Sequence, residues 1–329
     1  MKLAVIGCTG LVGTVILKVI SECKLPISEL ILVASSKSIG KEIKFESNSL
    51  EIESIEMALS KNPEIAIFCA GGEISKKWAP IFSKNGITVI DNSSAWRMDH
   101  QVPLVVPEIN GSSIKKSNKI IANPNCSTIQ MVLALKEIHK RFIIDRIVVS
   151  TYQSVTGTGA AAVKQMMDER NEIESDKVYP HPIDKNCFPH GGDFLPNGYT
   201  TEEIKLVDET RKIFNSPEIK VTATVVRIPV IGGHSMAVNV NTKTPFKIEE
   251  IYDAFEATPG VIIKNDNLNF DYPMPLTAHE RNEVFVGRIR EDNTIENGLN
   301  MWIVADNLRK GAATNAVQIA EYLINEKLV

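Results

Sequence analysis

The sequence predicts an α/β protein with a doubly wound parallel sheet, followed by an α+β domain with a mostly antiparallel sheet. The first third of the chain alternates short apolar runs with helical patterns, as a parallel sheet with crossover helices requires. From residue 143 onward the apolar runs become longer and richer in β-branched residues, which favours antiparallel strands. A chain of 329 residues with 43% hydrophobic content can bury a large core, most naturally as two domains.

The elements of the first domain follow from these patterns. Between the first two predicted strands, six apolar residues of the segment 11–20 fall on one helical stripe that can pack on the sheet. They are Leu11, Val12, Val15, Ile16, Val19 and Ile20. The predicted strands of this domain are Lys2 to Ile6, Leu30 to Ala34, Ile65 to Cys69 and Thr88 to Ile90.

The second domain is predicted to contain strands at Ile143 to Val155, Ile219 to Val230 and Met236 to Asn241. Near the end of the chain, small and apolar residues again repeat at helical spacing, and such a helix could return to cover the first domain. We therefore expect a first domain of residues 1–125, completed by a C-terminal helix at 307–329, and a second domain of residues 126–306.

Composition narrows the class of partner. A net charge of -4 and a pI near 6.0 give no positive electrostatic field that would attract phosphate polymers or anionic lipid. We therefore expect neither nucleic-acid nor membrane binding. The apolar run at the amino terminus is too short for a signal-peptide core. Five scattered cysteines lack the close pairing of a zinc site or a disulfide scaffold, which favours reduced thiols in the cytoplasm and no metal.

A glycine-rich loop joins the first strand to the first helix. The segment from Gly7 to Gly13 reads Gly-Cys-Thr-Gly-Leu-Val-Gly, and small residues there let backbone N–H groups meet a pyrophosphate at the positive end of the helix. Three glycines could also serve only a tight turn, but the position in a βαβ unit favours a Rossmann-type dinucleotide-binding domain. After the second strand, Ser35, Ser36, Lys37 and Ser38 replace the acidic residue usual for NAD and suit the 2′-phosphate of NADP.

A single cysteine stands at a predicted helix start. Cys126 follows Asn123-Pro124-Asn125 and precedes a long apolar helical pattern, so the helix dipole and free N–H groups would stabilise its thiolate. Most cysteines are inert small hydrophobes, and the other four have no comparable setting. Cys126 is therefore the candidate nucleophile.

Six motifs together carry a resemblance to a known family. They are Gly7 to Gly13, Asn92 to Arg97, Asn123 to Thr128, Gln153 to Gly159, Glu202 to Lys205, and Arg227-Ile228-Pro229 followed by Gly232-Gly233-His234-Ser235. In this order and spacing they resemble the signature of aspartate-semialdehyde dehydrogenases over most of the chain.

The resemblance implies a reaction. L-aspartate 4-semialdehyde, inorganic phosphate and NADP would be converted reversibly to L-4-aspartyl phosphate and NADPH through a thioester on Cys126, in the biosynthesis of lysine, methionine and threonine. It also implies that the first domain binds NADP, that the second is catalytic and dimerising, and that the protein is a homodimer or homotetramer.

The resemblance also assigns roles to individual residues. His234 matches the acid/base residue and Gln153 the residue that holds the substrate near the thiol, although a lone histidine or a strand glutamine is more often structural. The substrate and phosphate ligands implied by the family are Arg97, Asn125, Gln153, Glu202, Lys205 and Arg227. The implied cofactor contacts are Thr9, Gly10, Leu11, Val12, Lys37, Ser38, Thr156, Gly157 and Asn307. Many family members carry arginine where this chain has Lys37.

Two other functions remain compatible with the pattern. An N-acetylglutamyl-phosphate reductase shares the architecture and the cysteine chemistry, but its acetylated amine carries no charge for Glu202 to pair with. An inactive dinucleotide-binding scaffold needs none of Cys126, Gln153 and His234, so the presence of all three argues against it.

Overall fold

The computed structural model describes residues 1–174 and 176–329 and divides into two compact units. Unit 1 contains Met1–Asn125 and Ala312–Val329, and unit 2 contains Cys126–Gly311. The fold class expected from the sequence is confirmed, because each unit contains one sheet of the expected kind.

Unit 1 is built around a seven-stranded sheet. Its strands are β1 (Lys2–Ile6), β2 (Glu29–Val33), β3 (Glu42–Phe45), β4 (Asn48–Glu53), β5 (Ile65–Phe68), β6 (Thr88–Asp91) and β7 (Ile120–Ala122). Its first helices are α1 (Leu11–Cys23), α2 (Ile55–Ser60), α3 (Gly72–Lys84) and α4 (Pro107–Asn110). The strand order is β3-β4-β2-β1-β5-β6-β7, and every pairing is parallel except that of β3 with β4.

The sheet of unit 1 has an apolar core on each face. Alternate residues of β1 point to opposite sides, so that Leu3 and Val5 join one buried cluster while Ala4 and Ile6 join the other. The second cluster includes Trp78 from α3. This two-sided burial explains why the parallel strands read as continuous apolar runs. The exposed hairpin of β3 and β4 lacks such a run, so its strands were not predicted from the sequence.

Unit 2 contains a six-stranded mixed sheet. Its strands are β8 (Ile144–Gln153), β9 (Lys220–Arg227), β10 (His234–Thr242), β11 (Val261–Ile263), β12 (Val284–Asp292) and β13 (Gly298–Ala305). Its helices are α5 (Cys126–Phe142), α6 (Ala160–Arg170), α7 (Thr201–Phe214), α8 (Ile248–Glu256) and α9 (Pro275–Ala278). The order is β11-β12-β13-β10-β8-β9, with antiparallel pairing at the three central contacts and parallel pairing at both edges.

Local chemistry sets the ends of the unit 2 strands. The predicted strand at 143–155 loses its first residue because Ile143 has a φ of +55°, and it ends at Gln153 before a 3₁₀ turn at Val155–Gly157. The predicted strand at 219–230 ends at Arg227, shortly before Pro229, which cannot donate a ladder hydrogen bond.

The final helix, α10 (Thr314–Asn325), returns to unit 1. Asn315 Nδ2 donates to Val105 O at 2.9 Å and to Asn123 Oδ1 at 2.7 Å, which fixes the helix beside the end of β7. The helical spacing of the sequence predicts this helix from residue 307. The regular helix begins later, because Arg309–Ala313 form a π-helix and the segment up to Gly311 belongs to unit 2. Within the described ranges, no helix has the length and apolar character needed to cross a bilayer.

Candidate active site

The glycine-rich loop of unit 1 forms a tight turn between β1 and α1. Gly7 has a φ of +101°, and a Cβ placed on Gly13 would lie 2.2 Å from Gly7 O, so both positions exclude side chains. Gly10 is the N-cap of α1, and Thr9 and Gly10 are exposed. As in any helix, the first N–H groups of α1, including those of Leu11 and Val12, have no intrahelical acceptor. The loop therefore provides the backbone cradle that a pyrophosphate requires.

A cavity of about 570 Å³ lies beside this loop, entirely within unit 1. Its walls include Thr9 and Gly10 from the loop and Ser35 and Ser36 from the end of β2. Lys37 and Ser38 lie in the turn that follows, where Ser38 N donates to Ser35 O at 2.8 Å, and Lys37 is exposed. The cavity has the size of a nucleotide site, with hydroxyls at the position where an NAD site usually has a carboxylate.

Arg97 is buried in unit 1 and held by backbone oxygens. Its Nε donates to Asn123 O and its Nη2 to Asn92 O, both at 2.9 Å. Burial raises the pKa of the nearby Asp91 carboxyl. Hydrogen bonds from Ser93 and Ser75 and the positive charge of Arg97 each lower this pKa and partly offset the increase. Asn125 is also buried and is the last residue of unit 1 before Cys126.

Cys126 is the first residue of α5 and is partly exposed. A Cβ built on Gly311 would lie 2.9 Å from Cys126 Cβ, so the glycine allows the backbone to pass close to the cysteine. By contrast, burial raises the pKa of Cys8 to about 11 and that of Cys69 to about 12, which keeps both thiols protonated. Among the five cysteines, Cys126 has the helix-start position that favours a thiolate.

Gln153 is buried at the end of β8, and its Nε2 donates to Ser127 Oγ at 2.9 Å. This hydrogen bond connects Gln153 to the residue next to Cys126. In the part of the chain that the structure describes, Gln153 Oε1 is buried without a hydrogen-bond partner. An unsatisfied buried acceptor is costly, and it is a feature typical of sites that receive a ligand.

His234 begins β10 and is fully buried. The backbone N–H of Ser154 donates to Nδ1 at 3.1 Å, so the proton of the neutral imidazole resides on Nε2. Nε2 itself has no partner among the described residues. Burial, assisted by the charge of Arg227, lowers the pKa of His234 to about 3. At neutral pH the ring is therefore neutral and presents one N–H donor.

Access to this donor depends on Gly157. A Cβ on Gly157 would lie 2.9 Å from His234 Nε2 and 3.2 Å from Arg227 Nη1. The φ of Gly157 is outside the left-handed region, so space, rather than backbone conformation, requires glycine here.

Charged side chains of both signs surround His234. Arg227 ends β9, lies opposite Gln153 in the register, and donates from Nη1 to Ser154 O at 3.4 Å. Glu202, in the first turn of α7, accepts from Lys205 Nζ at 2.9 Å. The charge of Glu202 raises the pKa of His234 while that of Arg227 lowers it, so a cation and an anion both lie close to the imidazole.

Thr156 and Asn307 form a further connected pair in unit 2. Thr156 Oγ1 donates to Asn307 Oδ1 at 3.0 Å, and Ser154 Oγ lies 2.7 Å from Thr156 Oγ1. Residues 154–156 therefore form hydrogen bonds with two site residues, since Ser154 bonds to His234 and Thr156 bonds to Asn307.

Unit 2 thus brings together Cys126, Gln153, Thr156, Gly157, Glu202, Lys205, Arg227, His234 and Asn307. The other predicted residues, from Thr9 to Val12 together with Lys37, Ser38, Arg97 and Asn125, lie in unit 1. Ser127 and Ser154, whose hydrogen bonds orient Gln153 and His234, were not predicted as site residues. Both stand inside the family motifs, and their position beside a predicted catalytic residue was the available signal.

Family profiles match most of the chain. The semialdehyde dehydrogenase NAD-binding domain matches residues 2–117, and the semialdehyde dehydrogenase dimerisation domain matches residues 135–310. These matches confirm that unit 1 carries an NAD(P)-binding domain of an oxidoreductase family.

Individual relatives agree. The chain is 50% identical to aspartate-semialdehyde dehydrogenase of Aquifex aeolicus, covering 100% of this chain and 99% of the relative. It is 44% identical to aspartate-semialdehyde dehydrogenase 2 of Vibrio cholerae, covering 99% and 98%. The crystal structure of the Vibrio cholerae enzyme II complexed with ASA superposes with a TM-score of 0.94 at 44% identity, covering 98% of each chain. The chain therefore belongs to the aspartate-semialdehyde dehydrogenase family.

Proposed function

We propose that this chain catalyses the reversible, NADP-dependent conversion of L-aspartate 4-semialdehyde and phosphate to L-4-aspartyl phosphate, through a thioester on Cys126. The observation that carries the proposal is the cluster in unit 2: a helix-start cysteine whose neighbour Ser127 accepts a hydrogen bond from Gln153, and a neutral histidine close to the charges of Arg227 and Glu202. This arrangement has a nucleophile, a donor for an oxyanion, and charges for both ends of an amino acid.

Cys126 is the nucleophile in this scheme. Its thiolate attacks the aldehyde carbon, and the carbonyl electrons move to the oxygen to give a thiohemiacetal alkoxide. Loss of hydride from that carbon restores the carbonyl as a thioester, which a phosphate oxygen then attacks while the thiolate leaves. A thiolate suits both halves because it attacks well near neutral pH and leaves well from an acyl group.

His234 acts on the substrate oxygen as a donor. Its Nε2–H can stabilise the alkoxide and the later tetrahedral adduct, as an oxyanion-hole donor does. Removal of the thiol proton would require a free lone pair on Nε2, but the Ser154 hydrogen bond places the proton there. The low pKa also disfavours the imidazolium. The base role implied by the family resemblance is therefore replaced in our proposal by hydrogen-bond donation.

Arg227 and Glu202 select the amino-acid part of the substrate. A buried guanidinium with an unpartnered Nε within the described residues can bind the α-carboxylate in a bidentate manner. Glu202 would receive the α-ammonium group. Gln153 holds the substrate near Cys126, and its free amide oxygen offers an acceptor.

Phosphate is assigned to Arg97, Asn125 and Lys205. Arg97 is immobilised by two backbone oxygens, so little rotamer entropy is lost when it binds an anion. Lys205 is partly exposed and paired with Glu202, and it can exchange that partner for phosphate.

The residues of the glycine loop fit a dinucleotide. The backbone cradle and the cavity beside it would hold the cofactor through Thr9, Gly10, Leu11 and Val12. Lys37 and Ser38 would contact the 2′-phosphate, and Thr156, Gly157 and Asn307 would contact the nicotinamide half. When bound, NADP supplies the hydride acceptor.

The protein is further proposed to be a cytoplasmic homodimer that assembles through unit 2. The matched dimerisation domain, residues 135–310, lies wholly in that unit. Val148, Tyr152 and Ala237 lie on the face of its sheet opposite the main core and stay half-exposed in one chain, as an interface requires. Within the described residues, none of the five cysteines is in a disulfide, which suits a reducing compartment.

The test is an absorbance assay of NADPH formation from L-aspartate 4-semialdehyde, with and without phosphate. We expect turnover only with phosphate, and mass spectrometry of quenched enzyme without phosphate should find the acyl group on Cys126. Equal rates in the absence of phosphate, or preferential use of an N-acetylated semialdehyde, would contradict the proposal.

A further inference from the structure

His279 is a histidine that the family motifs leave without a role, and it lies against the turn that precedes His234. Its Nδ1 is 3.0 Å from Asp306 Oδ2. A Cβ placed on Gly232 would lie only 2.3 Å from the same nitrogen, so the imidazole is in direct contact with the backbone of the turn. The Asp306 side chain is 3% exposed and that of His279 is 41% exposed, so the pair spans from the interior to the surface.

The turn itself has little freedom. Gly232 and Gly233 have φ values of +75° and +49°, and a Cβ on Gly233 would lie 2.8 Å from Pro275 Cα. The next residue is His234, where β10 begins. His279 and Pro275 therefore pack against the two glycines that directly precede His234.

Asp306 connects the same pair to the other candidate site residues of unit 2. Its Oδ1 accepts from Leu308 N at 2.8 Å and from Arg309 N at 3.2 Å, and its carbonyl accepts from Gly311 N at 3.1 Å. Gly311 is the residue that lies against Cys126, and Asn307 follows Asp306 directly in the chain.

The strand register brings these segments side by side. His234, the first residue of β10, pairs with Ala305, the last residue of β13. The residues before β10 and those after β13 therefore leave the sheet at the same end of these two strands. His279 bridges the two segments by touching Gly232 in one and Asp306 in the other.

We propose that the His279–Asp306 pair positions His234 relative to Cys126 and Asn307. Neither residue is assigned contact with substrate, so both are positioning residues that act through the turn and through the segment 307–311. The inference rests on the proposed function, since it concerns the geometry of that catalytic site.

The experiment is a double-mutant cycle on the full-length enzyme with His279→Ala, Asp306→Asn and the double variant. We expect His279→Ala to lower kcat about tenfold, because sub-ångström displacement of a reacting group costs that order of rate. The KM for semialdehyde and the Kd for NADP, measured by fluorescence titration, should change less than about twofold. The double variant should be no slower than the slower single variant, because residues that act as one unit are not additive.

Two further variants separate positioning from folding. His279→Asn places an amide donor near the position of Nδ1 and should recover most of kcat, whereas loss of stability alone would not be rescued in this way. His100→Ala, which removes a histidine whose side chain is 90% exposed in unit 1, should leave kcat unchanged. The rate of Cys126 alkylation by iodoacetamide should be the same in all variants, which would show an intact nucleophile.

Unchanged kcat in His279→Ala, multiplicative losses in the double variant, or failure of His279→Asn to recover activity would each overturn the inference. If the wild-type enzyme itself does not turn over aspartate semialdehyde with phosphate, the proposed function fails instead. The wild-type assay therefore distinguishes the two failures.

Discussion

Replacing Gly157 with alanine tests whether the Nε2–H of His234 must reach the substrate. The added methyl would lie 2.9 Å from Nε2, 3.0 Å from Cε1 and 3.2 Å from Arg227 Nη1. Ordinary contact between such atoms begins near 3.4 Å, so the imidazole or the loop must move by about 0.5 Å. Because Gly157 is exposed and its φ is not left-handed, the loop can yield, and the free energy of unfolding should fall by about 1 kcal/mol.

The effect on catalysis should be much larger than the effect on stability. The methyl both covers the donor nitrogen and displaces the guanidinium assigned to the α-carboxylate, so kcat should fall by about tenfold to a hundredfold. The assay is steady-state NADPH formation at saturating NADP, with thermal unfolding measured on the same preparations. Gly72→Ala is the matched control, since a Cβ there meets no atom within 4 Å.

One outcome would refute this reasoning. Gly157 is also assigned to the cofactor, so alanine could act by weakening NADP. If kcat at saturating cofactor equals that of the wild type and only the Kd for NADP rises, the methyl does not obstruct His234, and the donor role has no support.

The remaining predictions concern the other assigned groups. Cys126→Ser should abolish nearly all turnover while NADP still binds in fluorescence titration, because an alcohol neither attacks nor leaves as a thiolate does; substantial activity would exclude the thioester. Lys37→Ala should weaken NADP much more than NAD in kinetic titrations, whereas Lys41→Ala should affect neither; equal losses for both cofactors would mean that Lys37 does not contact the phosphate. Glu202→Gln should lower kcat/KM for L-aspartate 4-semialdehyde at least about tenfold and spare N-acetylated substrate, and an unchanged preference would remove the ammonium contact. His234→Asn should flatten the pH dependence of the unfolding free energy between about pH 5 and 6.5. In the wild type the unfolded imidazole binds a proton below its pKa of 6.5, while the folded one, with a pKa of about 3, does not, so stability falls as pH decreases. The unfolding free energy is measured by urea titration at each pH, and an equal change with pH in variant and wild type would contradict this.

Local patterns were sufficient to predict the positions of the glycine-rich loop and of Cys126. The apolar run at Lys2–Ile6 followed by a glycine loop predicts a strand and a helix start, because both signals depend on neighbours in sequence. The position of Cys126 at the start of α5 was predicted in the same way. These features need no knowledge of which segments meet in space.

Contacts between distant segments were beyond the sequence patterns. The Ser154 hydrogen bond that fixes the tautomer of His234 spans eighty residues, and no spacing rule indicates it. The π-helix at Arg309–Ala313 lies where Asp306 Oδ1 accepts from Leu308 N and where Gly311 passes close to Cys126, and neither contact is visible in the sequence. The role of Gly157 likewise appears only when its distance to His234 is known.

The two crossings between the units have a consequence for dissecting the protein. Cys126 and Gly311, the first and last residues of unit 2, are in contact. In unit 1, Asn123 Nδ2 donates to Ala312 O at 3.2 Å, which joins the segment before unit 2 to the segment after it. Unit 2 is thus an insertion in the chain of unit 1, and its first and last residues lie next to each other. The two segments of unit 1 that flank this insertion also lie next to each other. Closing such a gap with a few residues costs little loop entropy. A single short peptide joining Asn125 to Ala312 should give a continuous chain for unit 1 alone, in which nucleotide affinity could be measured apart from every step that needs the cysteine.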